Sequence, residues 1–266
     1  MSSRDLAFDL SGSGDEPLVF LHGLACDRTQ LSELISNLGG RYRILNIDLP
    51  GHGQSAAVRA TSIASVAQSA AELVQETFYS PVTLIGHSMG ASVCLDMAPL
   101  LKGQVRHIIA LDALLSTVLY SRRGRLPSFM MGAALACAYR PAMTKLLSSL
   151  RVAETPPEVW DRVVATALRT PRSVSARLLA SLARWDRDRA LGATDVPVTI
   201  IASNAFVKAA EIELLSPRCQ VVRFPIGGHF FPAEFPTESA RAIEEAMDCR
   251  QPDAALRKRP PGQAKQ

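Results

Sequence analysis

Gly86-His87-Ser88-Met89-Gly90 follows the apolar run Pro81-Val82-Thr83-Leu84-Ile85 and leads into Ala91-Ser92-Val93-Cys94-Leu95. A β-branched run, a Gly-x-Ser-x-Gly turn and a helix-forming stretch are the layout of a nucleophile elbow. The two glycines flank a turn too tight for a Cβ on either side. The serine is thereby held at the tip, hydroxyl outward, with a helix N-terminus behind it.

Outward from this turn, strands and helices alternate. Leu18-Val19-Phe20-Leu21 reads as a short buried strand ending at His22-Gly23. Leu31, Leu34, Ile35 and Leu38 fall on one helical face. Arg43–Ile47 is a strand stopped by the breaker-rich Asp48-Leu49-Pro50-Gly51-His52-Gly53, and Thr61–Phe78 is helical. The helix behind the elbow runs to Leu101, and Val105–Leu111 is a strand ending at Asp112. Pro197–Ala202 and Val221–Phe224 read as strands, 208–215 and Thr237–Met247 as helices. Such βα alternation predicts a mostly parallel, doubly wound sheet covered on both faces.

Residues 116–189 interrupt the alternation without a convincing strand. Helices are expected over Ser128–Leu150, broken in two at Pro141, and over Pro157–Leu168 and Arg172–Ala183. An all-helical insertion of this kind covers the crevice at the carboxyl ends of the strands. The domain organisation is therefore a core in two parts, 1–115 and 190–249, a helical lid over 116–189, and a tail over 250–266. That tail has too little to bury and reads as disordered.

Charge is unevenly divided. Of the net +4, the tail accounts for five basic residues against one acid. The 116–189 segment holds 13 basic and 5 acidic residues, and the rest of the chain 11 and 19. A basic segment on an acidic body is either a docked lid or one that draws in an anionic small-molecule substrate. The tail could touch nucleic acid, but no folded element supports a nucleic-acid partner. No apolar run of about 18 residues is present and Met1–Asp5 shows no apolar h-region, so neither a membrane span nor a secretory signal is expected. Five cysteines, odd in number and without C-x-x-C spacing, read as reduced thiols of a cytoplasmic protein. No metal-ligand cluster, P-loop or G-x-G-x-x-G is present, so neither a metal nor a cofactor is expected. Monomer and homodimer are both open.

Leu21-His22-Gly23, Asp48 to Ser55, Gly86 to Ala91 and Gly228-His229-Phe230 resemble, in order and spacing, the signature stretches of the α/β-hydrolase superfamily. The resemblance spans residues 5–249 and implies the α/β-hydrolase fold. It is far less specific for reaction.

A serine hydroxyl needs a base within hydrogen-bond reach. His229 lies 141 residues after Ser88, in a glycine loop following the last strand, and is the candidate base. His22 and His52 sit in glycine turns where the family uses the ring for loop structure; His107 begins a strand on an expected outer edge. The resemblance assigns the oxyanion to the backbone amides of Leu24 and Met89, whose side chains would make the pocket floor apolar. The usual family acid is missing: the loop from Ser203 to Lys208 carries no carboxylate. Asp112, 24 residues after Ser88, is the candidate acid, with an acid-less dyad or Asn204 as a neutral orienter as alternatives.

His22, Cys26, His87 and Met130 are candidates to line the substrate pocket, though Cys26 also reads as a small core residue. Asp27 is a helix cap. Arg122-Arg123-Gly124-Arg125 is either a lid entrance or an anion cluster, and Trp185–Arg189 a solvated return to the core. Met130, Met131 and Met143 suit a plastic pocket or plain packing. The expected activity is that of a serine hydrolase on an ester, thioester or lactone. The alternatives are a cofactor-independent C–C bond-acting enzyme or dioxygenase using a His229–Asp112 pair, and a non-catalytic ligand-binding protein.

Overall fold

The computed structural model describes residues 5–113, 130, 133–205 and 219–248. The expected helix over 208–215, the 122–125 cluster, Met131 and the 250–266 tail lie outside these residues. Seven strands form one sheet: β1 (Phe8–Ser11), β2 (Glu16–Leu21), β3 (Tyr42–Ile47), β4 (Val82–His87), β5 (Val105–Leu111), β6 (Val198–Ser203) and β7 (Gln220–Phe224). Their spatial order is β1-β3-β2-β4-β5-β6-β7, parallel throughout except for β1, which runs antiparallel to β3. β1 escaped the sequence reading because it is four residues long and exposed along its whole length, so it shows no apolar run.

The central strands are apolar at nearly every position because both faces are covered. Val19, Leu21, Leu84, Ile108 and Ile200 point to one side, against α2 (Ile63–Thr77) and α3 (Met89–Leu100). Leu18, Phe20, Ile85, Ile109 and Ile201 point to the other, against α1 (Ser32–Leu38) and α9 (Pro236–Asp248). Truncating a fully buried member such as Phe20 should cost about 3–5 kcal/mol. α2 starts at a capping box in which the side chains of Ser62 and Ser65 each accept from the other's backbone amide. Ile63 donates its amide to Ser181 Oγ at 3.0 Å, tying this start to the inserted helices.

The described part of that insertion comprises a helical stretch over 133–137, then α4 (Tyr139–Ser148), α5 (Pro157–Arg169), α6 (Arg172–Leu182) and α7 (Arg187–Gly192), and its described residues form no strand. Met143, Leu147, Val159, Val163 and Leu179 share an apolar cluster with Ala25 after β2 and with Phe230 and Ala233 beyond β7. The helices therefore sit over the carboxyl ends of the strands. Two ion pairs add a surface link from α5: Arg162 to Glu33 at 2.6 Å and Arg169 to Asp27 at 3.4 Å. Each has an exposed partner and contributes at most about 1 kcal/mol.

The helix break expected from Pro141 falls just ahead of it, at Ala138, because a proline lacks the amide and clashes with the carbonyl four residues earlier. Pro141 instead sits in the first turn of α4, where an amide would have no intrahelical acceptor. His107 is not at an edge: β5 lies between β4 and β6, and His107 is buried with Nε2 2.9 Å from Thr199 Oγ1. No helix among the described residues is long and apolar enough to cross a membrane.

Candidate active site

The carboxyl ends of β2, β4 and β5 and the loop after β7 converge on Ser88. The serine occupies a strained left-handed conformation (φ 52°, ψ −117°) immediately before α3. The turn admits only glycines two residues to either side of the serine. A Cβ on Gly86 would lie 2.4 Å from the Ala91 nitrogen, and one on Gly90 2.3 Å from the Leu21 carbonyl oxygen. The Ser88 amide donates to the Leu111 carbonyl at 3.0 Å, fixing the elbow to the end of β5.

His229 Nε2 lies 3.0 Å from Ser88 Oγ, and His229 Nδ1 lies 2.7 Å from Asp112 Oδ2. Asp112 leaves β5 with φ 44°, which turns its side chain across the strand end. Its Oδ1 accepts the Ser203 amide at 2.8 Å, so the carboxylate is held by β6 as well. Burial pushes this carboxyl upward, but the His229 hydrogen bond and charge and the Ser203 amide outweigh it, holding it below the usual range. Asp112 is therefore anionic, with its negative charge directed at Nδ1. Asn204 is exposed, and its backbone N–H donates to the Phe224 carbonyl at 3.1 Å.

On the other side of Ser88 lies the loop after β2. Met89 is the first residue of α3, so its amide has no intrahelical acceptor; Leu24 is half-buried, and a Cβ on the preceding Gly23 would lie 3.3 Å from Ser88 Cβ. Two buried histidines hold this loop. His22 Nδ1–H donates to the Gly23 carbonyl at 2.8 Å, and its Nε2 accepts the Leu49 amide at 3.0 Å. His52 Nδ1–H donates to the Pro50 carbonyl at 3.0 Å, and its Nε2 accepts the Ala25 amide at 3.2 Å. Each ring thus stitches the loop after β2 to the loop after β3. Asp48 adds to the second loop by accepting the amides of Arg28 and Gln54 at 2.7 and 2.8 Å.

The pocket-lining expectations for His22, Cys26 and His87 are corrected by this arrangement. All three are buried behind the loops: His22 is 0%, His87 1% and Cys26 6% exposed. Burial lowers His22 to a pKa of about 4 and His52 and His87 to about 3, leaving them neutral, and raises the Cys26 thiol to about 12. His87 Nε2–H instead donates to the His229 carbonyl at 2.8 Å. Met130 stands 63% exposed. Asp27 does cap, accepting the Thr29 amide at the single turn before α1. Sequence reasoning missed Glu234, whose buried carboxylate accepts the Gly228 amide at 2.8 Å beside His229.

The profile described as "Alpha/beta hydrolase family" matches residues 18–242. The chain belongs to this family. Among relatives of this alpha/beta hydrolase, the magnesium-chelatase 30 kDa subunit of Rhodobacter capsulatus is 28% identical over 208 residues, 73% of this chain and 72% of that protein. The dihydrolipoyllysine-residue acetyltransferase component of the acetoin cleaving system of Pseudomonas putida is 26% identical over 85% of this chain. The chain spans 62% of that relative's length. Among solved structures, a thermophilic esterase from Thermogutta terrifontis, malate bound, superposes with a TM-score of 0.80 at 22% identity. That likeness covers 91% of this chain and 93% of the esterase, and it is a likeness of fold. The names of these three proteins point to three different activities, so the reaction of this alpha/beta hydrolase has to be argued from its own site.

Proposed function

We propose that this chain is a serine hydrolase that cleaves a small-molecule ester, thioester or lactone through an acyl-enzyme on Ser88. One observation carries the reading: an unbroken path from Ser88 Oγ through the His229 imidazole to a buried anionic carboxylate, with steps of 3.0 and 2.7 Å. Ser88 Oγ attacks the carbonyl carbon while His229 Nε2 takes its proton. Asp112 holds the tautomer with the proton on Nδ1 and faces the imidazolium that forms. The amides of Leu24 and Met89 receive the oxyanion. Collapse breaks the bond to the leaving alkoxide or thiolate, which takes the proton from Nε2; in a lactone it stays tethered. Water then gives its proton to His229 and attacks the acyl carbon, releasing the acid and restoring Ser88.

The basic helical segment makes an anionic substrate a candidate. We place the protein in the cytoplasm on its odd, scattered cysteines. A second reading draws on the acid lying after β5 and not after β6. In it the His229–Asp112 pair deprotonates an organic substrate, and Ser88 only positions it, as in cofactor-independent C–C bond-acting enzymes or dioxygenases.

A fluorophosphonate probe and a short-chain nitrophenyl ester test the first reading on wild type, Ser88→Ala and His229→Ala. Wild type should label and turn over, and Ser88→Ala should do neither. A wild type that neither labels nor hydrolyses overturns the reading. Turnover that survives Ser88→Ala but not His229→Ala favours the second.

A further inference from the structure

The loop carrying His229 is gripped from behind as well as from Ser88 and Asp112. Glu234 closes the short helix α8 (Phe231–Glu234) and is 8% exposed. Its Oε2 accepts the Gly228 amide at 2.8 Å and its Oε1 accepts the Thr155 hydroxyl at 2.6 Å. A buried carboxylate is tolerated only when its oxygens are satisfied, and bonds to a charged acceptor are the strong ones. Thr155 lies between α4 and α5, in the helical insertion, and its Oγ1 accepts the Val152 amide at 3.3 Å.

The fit is close on every side. A Cβ on Gly227, at φ +75°, would lie 2.6 Å from Glu234 Oε2, and one on Gly228 2.9 Å from Val152 Cγ1. His229 is thus preceded by an amide anchored to Glu234 and followed by a carbonyl anchored to His87 at 2.8 Å. Its ring has to satisfy Ser88 and Asp112 together, which leaves little room for the loop to shift.

We propose that Glu234 is a positioning residue that sets the His229 imidazole through the Gly228 amide and, through Thr155, makes that setting depend on how the helical insertion is docked. The proposal rests on His229 acting as the base for Ser88. A loop displacement of the order of 1 Å at Gly228 would cost up to about 100-fold in rate, through misplacement of the ring and not through lost substrate contact.

The test uses the full chain with Thr155→Val, Thr155→Ser, Glu234→Gln and Glu234→Ala. Two quantities are read: nitrophenyl ester kinetics across pH, and the low-field proton resonance of His229 Nδ1–H in its bond to Asp112. Thr155→Val should lower kcat roughly tenfold with KM within about twofold, and should shift or broaden that resonance. Thr155→Ser and Glu234→Gln, which keep a hydrogen-bonding partner, should recover most of both, and Glu234→Ala should lose more. If Thr155→Val lowers the melting temperature but leaves kcat and the resonance as in wild type, the contact is structural only and the proposal falls. A fall in kcat with an unmoved resonance also overturns it. If wild type shows no turnover, the hydrolase reading fails while the resonance still decides the positioning. Should Glu234→Ala not fold, the two Thr155 variants carry the comparison.

Discussion

The two histidines that stitch the loop after β2, together with His87 behind the elbow, make the fold acid-sensitive in a calculable way. All three are buried and neutral, with pKa values lowered to about 4 for His22 and about 3 for His52 and His87. In the unfolded chain an imidazole titrates near 6.5, so below that pH the unfolded state binds more protons and stability falls as pH falls. Each ring costs roughly 1.4 kcal/mol per pH unit between about 6.5 and its folded value. At pH 5 the folded rings are still neutral, and the loss is about 2 kcal/mol per ring, or about 6 kcal/mol for three. That matches the whole stability of a marginal domain, about 5–15 kcal/mol. Asp112 does not enter this window. Its lowered pKa contributes stability that is present above the usual carboxylate value and lost only as pH falls through the folded one. The assay is urea unfolding followed by far-ultraviolet circular dichroism at pH 7.5, 6 and 5, on wild type and His52→Gln. A glutamine can both accept from Ala25 and donate to Pro50, so the variant should lose some stability at pH 7.5 yet show a shallower pH slope by about a third. A wild-type loss below about 1 kcal/mol across this range, or an unchanged slope in His52→Gln, would refute the reasoning.

Other substitutions give sharper or smaller outcomes. Asp112→Asn can donate toward Nδ1 and so favours the wrong tautomer. It should lower kcat by about 10³- to 10⁴-fold and slow fluorophosphonate labelling in step, with the fold intact by circular dichroism. Gly86→Ala drives a Cβ into the backbone of Gly90 and Ala91, and should destabilise by more than about 3 kcal/mol in urea titration. Ser62→Ala removes the cap of α2 and should cost about 1 kcal/mol without altering KM. Arg162→Ala breaks a surface pair and should change the unfolding free energy by no more than about 1 kcal/mol, an effect that vanishes in high salt.

The strands that build the sheet were readable because burial on both faces leaves continuous apolar runs, as at Leu18–Leu21 and Val105–Leu111. β1 was not, since an exposed edge of four residues carries no such run. The resemblance implied Asp112 as the acid once the loop after β6 was seen to carry no carboxylate, but its 2.7 Å approach to His229 depends on strand order and on a left-handed backbone that no pattern announces. His107 was misplaced for the same reason: a strand's exposure follows from its neighbours in the sheet, which are set by topology and not by its own residues. Glu234 and Thr155 are 79 positions apart and meet only after the insertion docks, so neither carried a local signal. The family resemblance already implied a loop role for the ring at 22, whereas the residue at 87 carried no such signal: only the His229 carbonyl 2.8 Å from His87 Nε2 shows that this ring serves a loop and not a pocket.

Every parallel strand delivers its functional end to the same side, and this gives the molecule a working face and a handling face. β4 runs six residues from Val82 to His87, about 20 Å of extended chain, with Ser88 just beyond one end. Just before the other end stands Tyr79, 96% exposed. A linker, dye or solid support attached at position 79 would hold the protein by the side remote from Ser88, leaving the approach to the serine open to whatever molecule it acts on.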